Sequence, residues 1–184
     1  MTSKPAYRFR WTDSMEAGVC LRLNRGTRYS WVRNYFSFVS RLGNGGIWYA
    51  ILACIPLVYG LDALPLSLHI ALTGLVGVAI YKLCKLTLVR ERPFVSHAQI
   101  TCVGQPMDRG SFPSGHTIHA ASFTLILNSV FPGSAWVMFP FALSIALSRV
   151  VLGHHYPSDV LAGAVIGFCL GYTSLLLLPG VSYL

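Results

Sequence analysis

Five apolar runs dominate this sequence and constrain what it can fold into. They cover residues 47–61, 66–81, 117–131, 135–150 and 160–178. A helix that crosses roughly 30 Å of hydrocarbon needs about 20 apolar residues, so each run is near that length and some are short. With 54% hydrophobic and only 11% charged residues, the chain is too apolar for an ordinary water-soluble fold. We therefore expect an all-α, polytopic bundle of transmembrane helices.

The length of 184 residues fits a single membrane-embedded domain. Its basic N-terminal part, residues 1–42, is too charged to span, whereas residues 43–184 hold the five runs. Within residues 14–42, Val32, Tyr35, Phe36 and Val39 recur at helical spacing among arginines. This pattern predicts an amphipathic helix that either lies in the membrane interface or packs on the bundle as a solvated helix. A sixth span is conceivable only if this segment also crosses.

Other features of the composition narrow the choice further. Residues 1–13 are polar and basic and lack the apolar stretch of a cleavable signal peptide, so we expect the start to be retained. The five cysteines are odd in number and form no CxxC pair, so we interpret them as small hydrophobic residues rather than a disulfide or zinc site. Glycines at 163, 167 and 171 repeat every four residues, which predicts a closely packed neighbouring helix.

The formal net charge of +8 raises the question of an anionic partner. The basic residues are concentrated in two places, and the rest of the chain is apolar. A lipid-headgroup surface and an anionic substrate explain this distribution better than nucleic acid does. We expect the bilayer and a lipid phosphate as partners and no nucleic acid, and the oligomeric state stays open.

Almost all polar side chains of the apolar part fall at residues 82–114 and 149–159, after the second and fourth runs and therefore on one face of the bundle. Ionisable residues beside membrane spans are costly unless they serve a site, so Lys85, Arg92, Arg149 and His155 indicate an anion site. Lys85 and Arg92 are seven residues apart, two helical turns. If the second span continues through both, they project from nearly the same side.

Two short stretches next to apolar runs could carry the chemistry. Ser114, Gly115 and His116 stand just before the run at 117–131, where a helix N-terminus offers unpaired NH groups to an anion. An ordinary helix cap is the alternative. His155 and Asp159 are four residues apart, so on the first turn of a helix the carboxylate can accept a hydrogen bond from Nδ1 and leave Nε2 free.

Three motifs stand in order along the chain: KxxxxxxRP at 85–93, PSGH at 113–116 and SRxxxxxHxxxD at 148–159. Together they are specific, although PSGH alone would be weak. By these motifs the chain is similar to the type 2 phosphatidic acid phosphatase (PAP2) family of membrane lipid phosphatases. Only His155 has both spacings of the third motif, so we assign the adjacent His154 to the loop.

The resemblance implies a mechanism in which His155 attacks phosphorus, His116 protonates the leaving oxygen, and water cleaves the phosphohistidine. Asp159 would orient His155. The resemblance also implies a set of groups that hold the phosphate oxygens: Lys85, Arg92, Ser114, the Gly115 NH and Arg149. No metal or other cofactor is required by this scheme.

Other polar residues near these motifs have weaker claims. We interpret His119, one turn after His116, as a helical histidine satisfied by a neighbour rather than a second partner of the site. His97, Arg90, Asp108 and Arg109 lie in the long loop. They either touch the headgroup or face only water.

The motifs leave several functions open. The same residues can hold vanadate in a haloperoxidase, although such relatives are usually soluble. A lipid-to-lipid phosphotransferase would need the same site, whereas a transporter or lipid-binding module would not need a nucleophile and an acid. The substrate is equally open: phosphatidylglycerol phosphate, phosphatidic acid, a polyprenyl phosphate or diphosphate, or a lipid A phosphate.

The orientation in the membrane follows from charge. With five spans, all fourteen Lys and Arg residues fall on the catalytic side, and the opposite connections carry only Asp62. The positive-inside rule then favours an active site that faces the cytosol, at the inner (plasma) membrane of a bacterium, although family members often face outward. We expect the lipid to enter sideways from the bilayer, because extracting its tails costs about 0.8 kcal/mol per methylene.

Overall fold

The computed structural model describes residues 9–106, 108 and 110–177. These residues form eight α-helices, with bounds α1 Arg10–Asn24, α2 Ser30–Leu42, α3 Gly46–Tyr59, α4 Leu64–Thr87, α5 Pro93–Ser96, α6 Gly115–Val130, α7 Ala135–Val151 and α8 Pro157–Leu177. Short 3₁₀ turns precede α2, α4 and α7, and no strand occurs in the described part of the chain. The prediction of an all-α fold is confirmed.

The number of helices that could cross a membrane is smaller than the five expected. By length and composition, three segments of the described chain qualify: Leu61–Thr87, Pro132–Val151 and Pro157–Leu177. A fourth would be the pair Ser30–Leu42 and Gly46–Tyr59, which is bent by 51°. The count of five is therefore not confirmed. With 16 residues, α6 is only about 24 Å long, less than the thickness of the hydrocarbon layer.

The short helix α6 lies at the centre of the bundle and packs on α4, α7 and α8. Because other helices surround it, it buries Thr117, Ser122 and Thr124 as well as apolar residues. Phe123 meets Trp48 of α3 edge-to-face, with ring centroids 5.1 Å apart. The bundle around α6 holds the N-terminus of this helix in a fixed place, which matters because Ser114 and His116 lie there.

The glycines of α8 allow the closest of these contacts. A β-carbon at Gly163 would lie 2.7 Å from the Ser114 carbonyl oxygen, too near for any larger residue without a shift. Gly167 and Gly171 face the α6 backbone at Ile118 and Ser122 in the same way. The packing predicted from the four-residue repeat is confirmed, and it brings the start of α8 against the start of α6.

The amphipathic helix predicted within residues 14–42 is α2, which carries Val32, Tyr35, Phe36 and Val39, and a second helix, α1, precedes it. The segment forms α1 and α2, which are separated by the 3₁₀ turn Arg25–Arg28. Gly26 weakens helix at this point. The buried Asn24 side chain donates to the carbonyls of Thr101 and Val151, both at 2.9 Å, and accepts from the Thr101 NH at 2.8 Å. These bonds fix the end of α1 to the long loop and to the end of α7.

The outer surface of the bundle is apolar. Trp136, Leu57 and Leu61 are 87%, 81% and 81% exposed, and many other large hydrophobic side chains also face outward. Contiguous apolar surface of this extent is unfavourable in water but matches hydrocarbon. The chain is a multi-pass membrane protein.

Candidate active site

Residues of all three motifs meet at one end of the bundle around a cavity of about 440 Å³. Lys85 lies on the last turn of α4, Arg149 near the end of α7, and His155 in the turn before α8. These three line the cavity together with Arg92, Gly115 and His116. Six of the eight predicted site residues therefore share one cavity; Ser114 and Asp159 lie behind its wall.

Lys85 and Arg92 reach the same place by a different route from the one predicted. Helix α4 ends at Thr87, so it does not continue through Arg92. Arg92 is extended, with φ −80° and ψ 152°. The physical reason is Pro93, whose ring disfavours helical geometry in the residue before it.

The His155 side chain is 2% exposed. Its Nε2 lies 3.4 Å from Nη1 of Arg92, and its Nδ1 lies 3.6 Å from Oδ2 of Asp159. The predicted hydrogen bond between Nδ1 and Asp159 is therefore longer than a hydrogen bond, although the two groups face each other. Burial, followed by the charges of Arg149 and Arg92, lowers the pKa of His155 well below its ordinary value. A lowered pKa favours the neutral imidazole, which is the form that the predicted role as a nitrogen nucleophile requires.

His154 is oriented differently from its neighbour. It does not line the catalytic cavity, and its carbonyl accepts a 2.8 Å hydrogen bond from Nη1 of Arg92. Burial lowers the pKa of His154 to about 3, with smaller effects from Arg149 and Arg92. His154 lies in the turn between α7 and α8, as expected, but it is buried, with 3% of its surface exposed.

His116, on the first turn of α6, has a partner that the motifs do not contain. Its Nε2 donates a hydrogen bond to Oδ1 of Asn44, in the turn between α2 and α3. Both residues line the cavity. His119 also lines it, but its ring nitrogens lie 2.8 and 3.1 Å from the carbonyl oxygens of Gly115 and Gly74. His119 is thus the satisfied helical histidine that was expected.

Ser114 occupies the N-cap position of α6, but its side chain makes no capping hydrogen bond and does not line the cavity. Its hydroxyl accepts a hydrogen bond of 2.9 Å from Oγ1 of Thr117, and its NH donates to the Asp159 carbonyl at 3.1 Å. The side chain is fully buried. Gly115 lines the cavity and Ser114 does not. In this arrangement the Ser114 hydroxyl is therefore not placed to make the contact with a phosphate oxygen that had been expected.

Arg149 is 4% exposed and lies between the cavity and α2. One of its terminal nitrogens, Nη1, donates to the Ser40 hydroxyl on α2. Its Nε has no hydrogen-bond partner among the described residues. A buried guanidinium with an unpartnered donor beside a cavity is suited to an anion such as phosphate.

Asp108 from the long loop pairs with two of the predicted phosphate-binding cations. Its carboxylate oxygens are both 2.7 Å from Nζ of Lys85, and Oδ1 is 2.8 Å from Nη2 of Arg92. Burial alone would raise the pKa of Asp108, but Lys85 and Arg92 hold it below its ordinary value. The sequence left open whether Asp108 touches water or a headgroup. In the structure its carboxylate instead bonds Lys85 and Arg92.

The burial and the partners of Arg90 were not predicted from the sequence. Its side chain is 1% exposed and forms ion pairs with Asp13 and Glu16 of α1 and with Asp159 of α8. Its loop position suggested contact with water or a headgroup, and that interpretation is wrong. Of the other two loop residues named with it, His97 does not line the cavity, and Arg109 falls outside the described residues.

No group of three or more His, Cys, Asp or Glu side chains within residues 9–106, 108 and 110–177 could hold a metal ion. The positive charges around the cavity come from Lys85, Arg92 and Arg149. Such cations can stabilise the equatorial oxygens of a phosphoryl group during transfer.

Comparison with solved structures supports the fold. LpxE of Aquifex aeolicus superposes with a TM-score of 0.73 at 24% identity, over 88% of this chain and 95% of that one. The first transmembrane PAP2 type phosphatidylglycerolphosphate phosphatase from Bacillus subtilis gives a TM-score of 0.73 at 20% identity, over 94% of this chain and 87% of that one. At such identities the likeness concerns the fold alone.

Sequence comparison adds relatives and a family. The undecaprenyl-diphosphatase BcrC of Bacillus subtilis is 34% identical over 105 residues, which are 57% of this chain and 54% of that protein. A non-specific acid phosphatase of Salmonella typhi is 36% identical over 85 residues, 43% of this chain and 33% of that one. The chain thus matches about half or less of the length of these relatives. A sequence model of the PAP2 superfamily matches residues 62–181, and the chain belongs to that superfamily.

Proposed function

We propose that this protein is a membrane phosphatase that hydrolyses a lipid phosphate through a phosphohistidine on His155. The observation that carries the proposal is the shape of the catalytic cavity. One end is lined by Lys85, Arg92, Arg149 and His155, and the other by apolar side chains of α3, α4 and α6, namely Trp48, Leu52, Leu75, Val78 and Phe123. A polar pocket continuous with an apolar one fits a phosphate attached to a hydrocarbon tail.

The apolar end of the cavity opens between α3 and α4. Tyr49 and Leu75 line it and are 73% and 65% exposed, so the opening lies on the outer, apolar surface of the bundle. A lipid can enter there with its tails still in the bilayer and avoid the cost of about 0.8 kcal/mol per methylene brought into water. This supports the expected lateral entry.

The polar end of the cavity supports two in-line displacements. In the first, the neutral Nε2 of His155 attacks phosphorus, the P–O bond to the lipid breaks, and His116 gives its proton to the leaving oxygen. In the second, His116 takes a proton from water as the water oxygen attacks. The P–N bond then breaks, and its electron pair returns to His155.

Charge is balanced around these steps by groups of the chain. Lys85, Arg92, Arg149 and the Gly115 NH hold the phosphoryl oxygens, whose charge the transition state spreads over them. As the P–N bond forms, His155 becomes positive, and Asp159 faces its Nδ1 at 3.6 Å. Asn44 holds His116 toward the cavity.

The names of relatives support a lipid phosphate as the substrate class. Undecaprenyl-diphosphatase and lipid A 1-phosphatase are both named for lipid phosphates, and the latter, from Rhizobium etli, is 36% identical over 84 residues. Within this class we propose no single lipid. The positions of Lys and Arg in the sequence favour an inner-membrane protein with the site on the cytosolic side.

Phosphate release by the purified protein in detergent tests this function. Mixed micelles would present phosphatidic acid, phosphatidylglycerol phosphate, a polyprenyl diphosphate or lipid A in turn, with glycerol phosphate as the water-soluble control. We expect the lipids to be hydrolysed far better than glycerol phosphate, in the presence of a chelator as well as without it. Transfer of the phosphoryl group to a second lipid without free phosphate would show a phosphotransferase instead, and equal rates on glycerol phosphate would contradict lateral entry.

A further inference from the structure

Arg90 lies outside the catalytic cavity, enclosed between α1 and the start of α8. Its guanidinium has hydrogen-bond or ion-pair partners on all three nitrogens. On the α1 side, Nε is 2.8 Å and Nη2 2.7 Å from Oδ1 of Asp13, and Nη2 is 2.8 Å from Oε2 of Glu16. On the α8 side, Nη1 donates to the Ser158 hydroxyl at 2.7 Å and to Oδ1 of Asp159 at 2.6 Å. The side chain thus connects α1 with the first turn of α8.

The α1 side of this cluster is formed by two acidic residues one turn apart. Asp13 and Glu16 are three residues apart, so both project from one side of α1. Glu16 also accepts hydrogen bonds from the NH of Ser158 at 2.8 Å and from its hydroxyl at 2.7 Å. The NH of Ser158 is one of the free donors at the N-terminus of α8, so Glu16 caps that helix from another part of the chain.

The α8 side of the cluster fixes both oxygens of the Asp159 carboxylate. Oδ1 accepts from Arg90, and Oδ2 accepts from the Tyr156 NH at 2.8 Å and from the Ser111 hydroxyl. Oδ2 is also the oxygen that faces Nδ1 of His155. The Arg90 guanidinium stacks over the Tyr156 ring, 4.2 Å from its centroid, which further restricts the carboxylate and the turn that carries His155.

The charges of the cluster favour a cation at His155. Three carboxylates, from Asp13, Glu16 and Asp159, share one guanidinium. Burial alone would lower the pKa of Arg90, but Asp159, Asp13 and Glu16 raise it above its ordinary value, so the guanidinium stays charged. Without Asp13 and Glu16, Asp159 alone would neutralise the charge of Arg90. The Asp159 carboxylate would then stabilise less well the positive charge that develops on the His155 imidazole.

We propose that Asp13 and Glu16 are positioning residues for the hydrolysis, which act through Arg90 to fix the Asp159 carboxylate against His155. The proposal rests on the phosphatase function proposed above. It makes α1 a part of the catalytic apparatus, although no residue of that helix lines the cavity. Among the described ion pairs, Lys85 and Arg92 bond Asp108, whereas Asp13 and Glu16 bond Arg90. Loss of Asp13 and Glu16 is therefore expected to change the chemical step rather than substrate binding.

The test compares kcat and KM for phosphate release from a lipid phosphate in mixed micelles. In the double variant Asp13→Asn, Glu16→Gln we expect kcat to fall at least tenfold and KM to stay within twofold of wild type. The conservative variant Asp13→Glu in the wild-type background keeps the charge and is expected to retain most of the rate. The matched control is Glu91→Gln, an exposed neighbour of Arg90 bonded only to Ser96 among the described contacts, expected to change neither constant by more than twofold.

Thermal unfolding in detergent shows whether each variant is folded at the assay temperature. If the double variant is not folded, the single variant Asp13→Asn takes its place, because it leaves the Glu16 cap on Ser158 intact. For this single variant a threefold loss of kcat is expected. A folded variant with wild-type kcat, or with raised KM and unchanged kcat, overturns the proposal while leaving the phosphatase function intact. Wild-type protein that releases no phosphate from any lipid overturns the function and the proposal together.

Discussion

Arg90 and Arg92 are two residues apart in one irregular stretch, yet they belong to different parts of the molecule. Arg90 is enclosed by α1 and α8 and bonds carboxylates and a hydroxyl on helices. Arg92 faces the cavity and bonds the Asp108 carboxylate, whose side chain is 37% exposed. A structural cation and a substrate-binding cation therefore differ in whether an incoming phosphate can replace the carboxylate that each one bonds.

The other partners of Arg92 leave its positive charge available to a substrate anion. Two of its bonds go to main-chain carbonyls, of Asp108 at 3.0 Å and of His154 at 2.8 Å, and these hold the side chain in place without cancelling its charge. Only the Asp108 carboxylate competes with a substrate anion. Arg90 has no donor left for a substrate anion, because each of its nitrogens bonds an acidic residue or Ser158.

Among the variants that test the contrast between the two arginines, the largest effect is expected for Arg92→Ala. Loss of a donor that stabilises the transition state costs about 10² to 10³ in kcat, and Arg92 lies beside the proposed nucleophile, with Nη1 3.4 Å from Nε2 of His155. Arg92→Lys should recover part of the rate, because it restores the charge but not the planar fork. Steady-state phosphate release measures both variants. A kcat within threefold of wild type for Arg92→Ala would place Arg92 with the structural cations.

For Arg90→Ala the main effect is expected on stability. Removing one partner of a buried ion cluster costs about 3–5 kcal/mol, because the remaining charges stay buried and unpaired. The melting temperature in detergent, followed by tryptophan fluorescence, should fall clearly below those of wild type and Arg92→Ala. If Arg90→Ala melts at the wild-type temperature, the contrast between the two arginines is lost.

A smaller effect is expected for Asp108→Asn. The carboxylate competes with substrate for Lys85 and Arg92, and a partly exposed ion pair is worth about 0.2–1 kcal/mol, so KM should fall by about twofold to fivefold. The half-inhibitory vanadate concentration should fall in parallel. Asp62→Asn, at the opposite end of the bundle, serves as the control with the same charge change. A raised KM would show that Asp108 helps to bind the substrate.

The residues nearest the chemistry could be predicted from the sequence because their spacing carries the information. The motifs identified His155, His116, Lys85, Arg92 and Arg149, and all of them line the cavity. Their assigned roles in the reaction remain predictions. The all-α fold also followed from the apolar runs, because hydrocarbon forces the backbone to bond within each segment.

The partners of these residues could not be predicted, because they come from distant parts of the chain. Asp13 and Glu16 are 77 and 74 residues from Arg90, and Asn44 is 72 residues from His116. Nothing in a local pattern indicates which helix covers which loop. The end of α4, in contrast, could have been predicted from a local signal. Pro93 favours an extended residue 92, and this effect outweighs the two-turn spacing between Lys85 and Arg92 that suggested a continuous helix.

Trapping the phosphorylated enzyme tests the central claim most directly. Protein mixed with a lipid carrying a radioactive phosphate is quenched within the first turnover, and the label is located by peptide mapping. We expect an acid-labile, alkali-stable phosphate on His155, retained in His154→Ala and absent from folded His155→Ala, which should also release no phosphate. Hydrolysis by wild type with a label on another residue, or continued turnover by His155→Ala, would contradict the account.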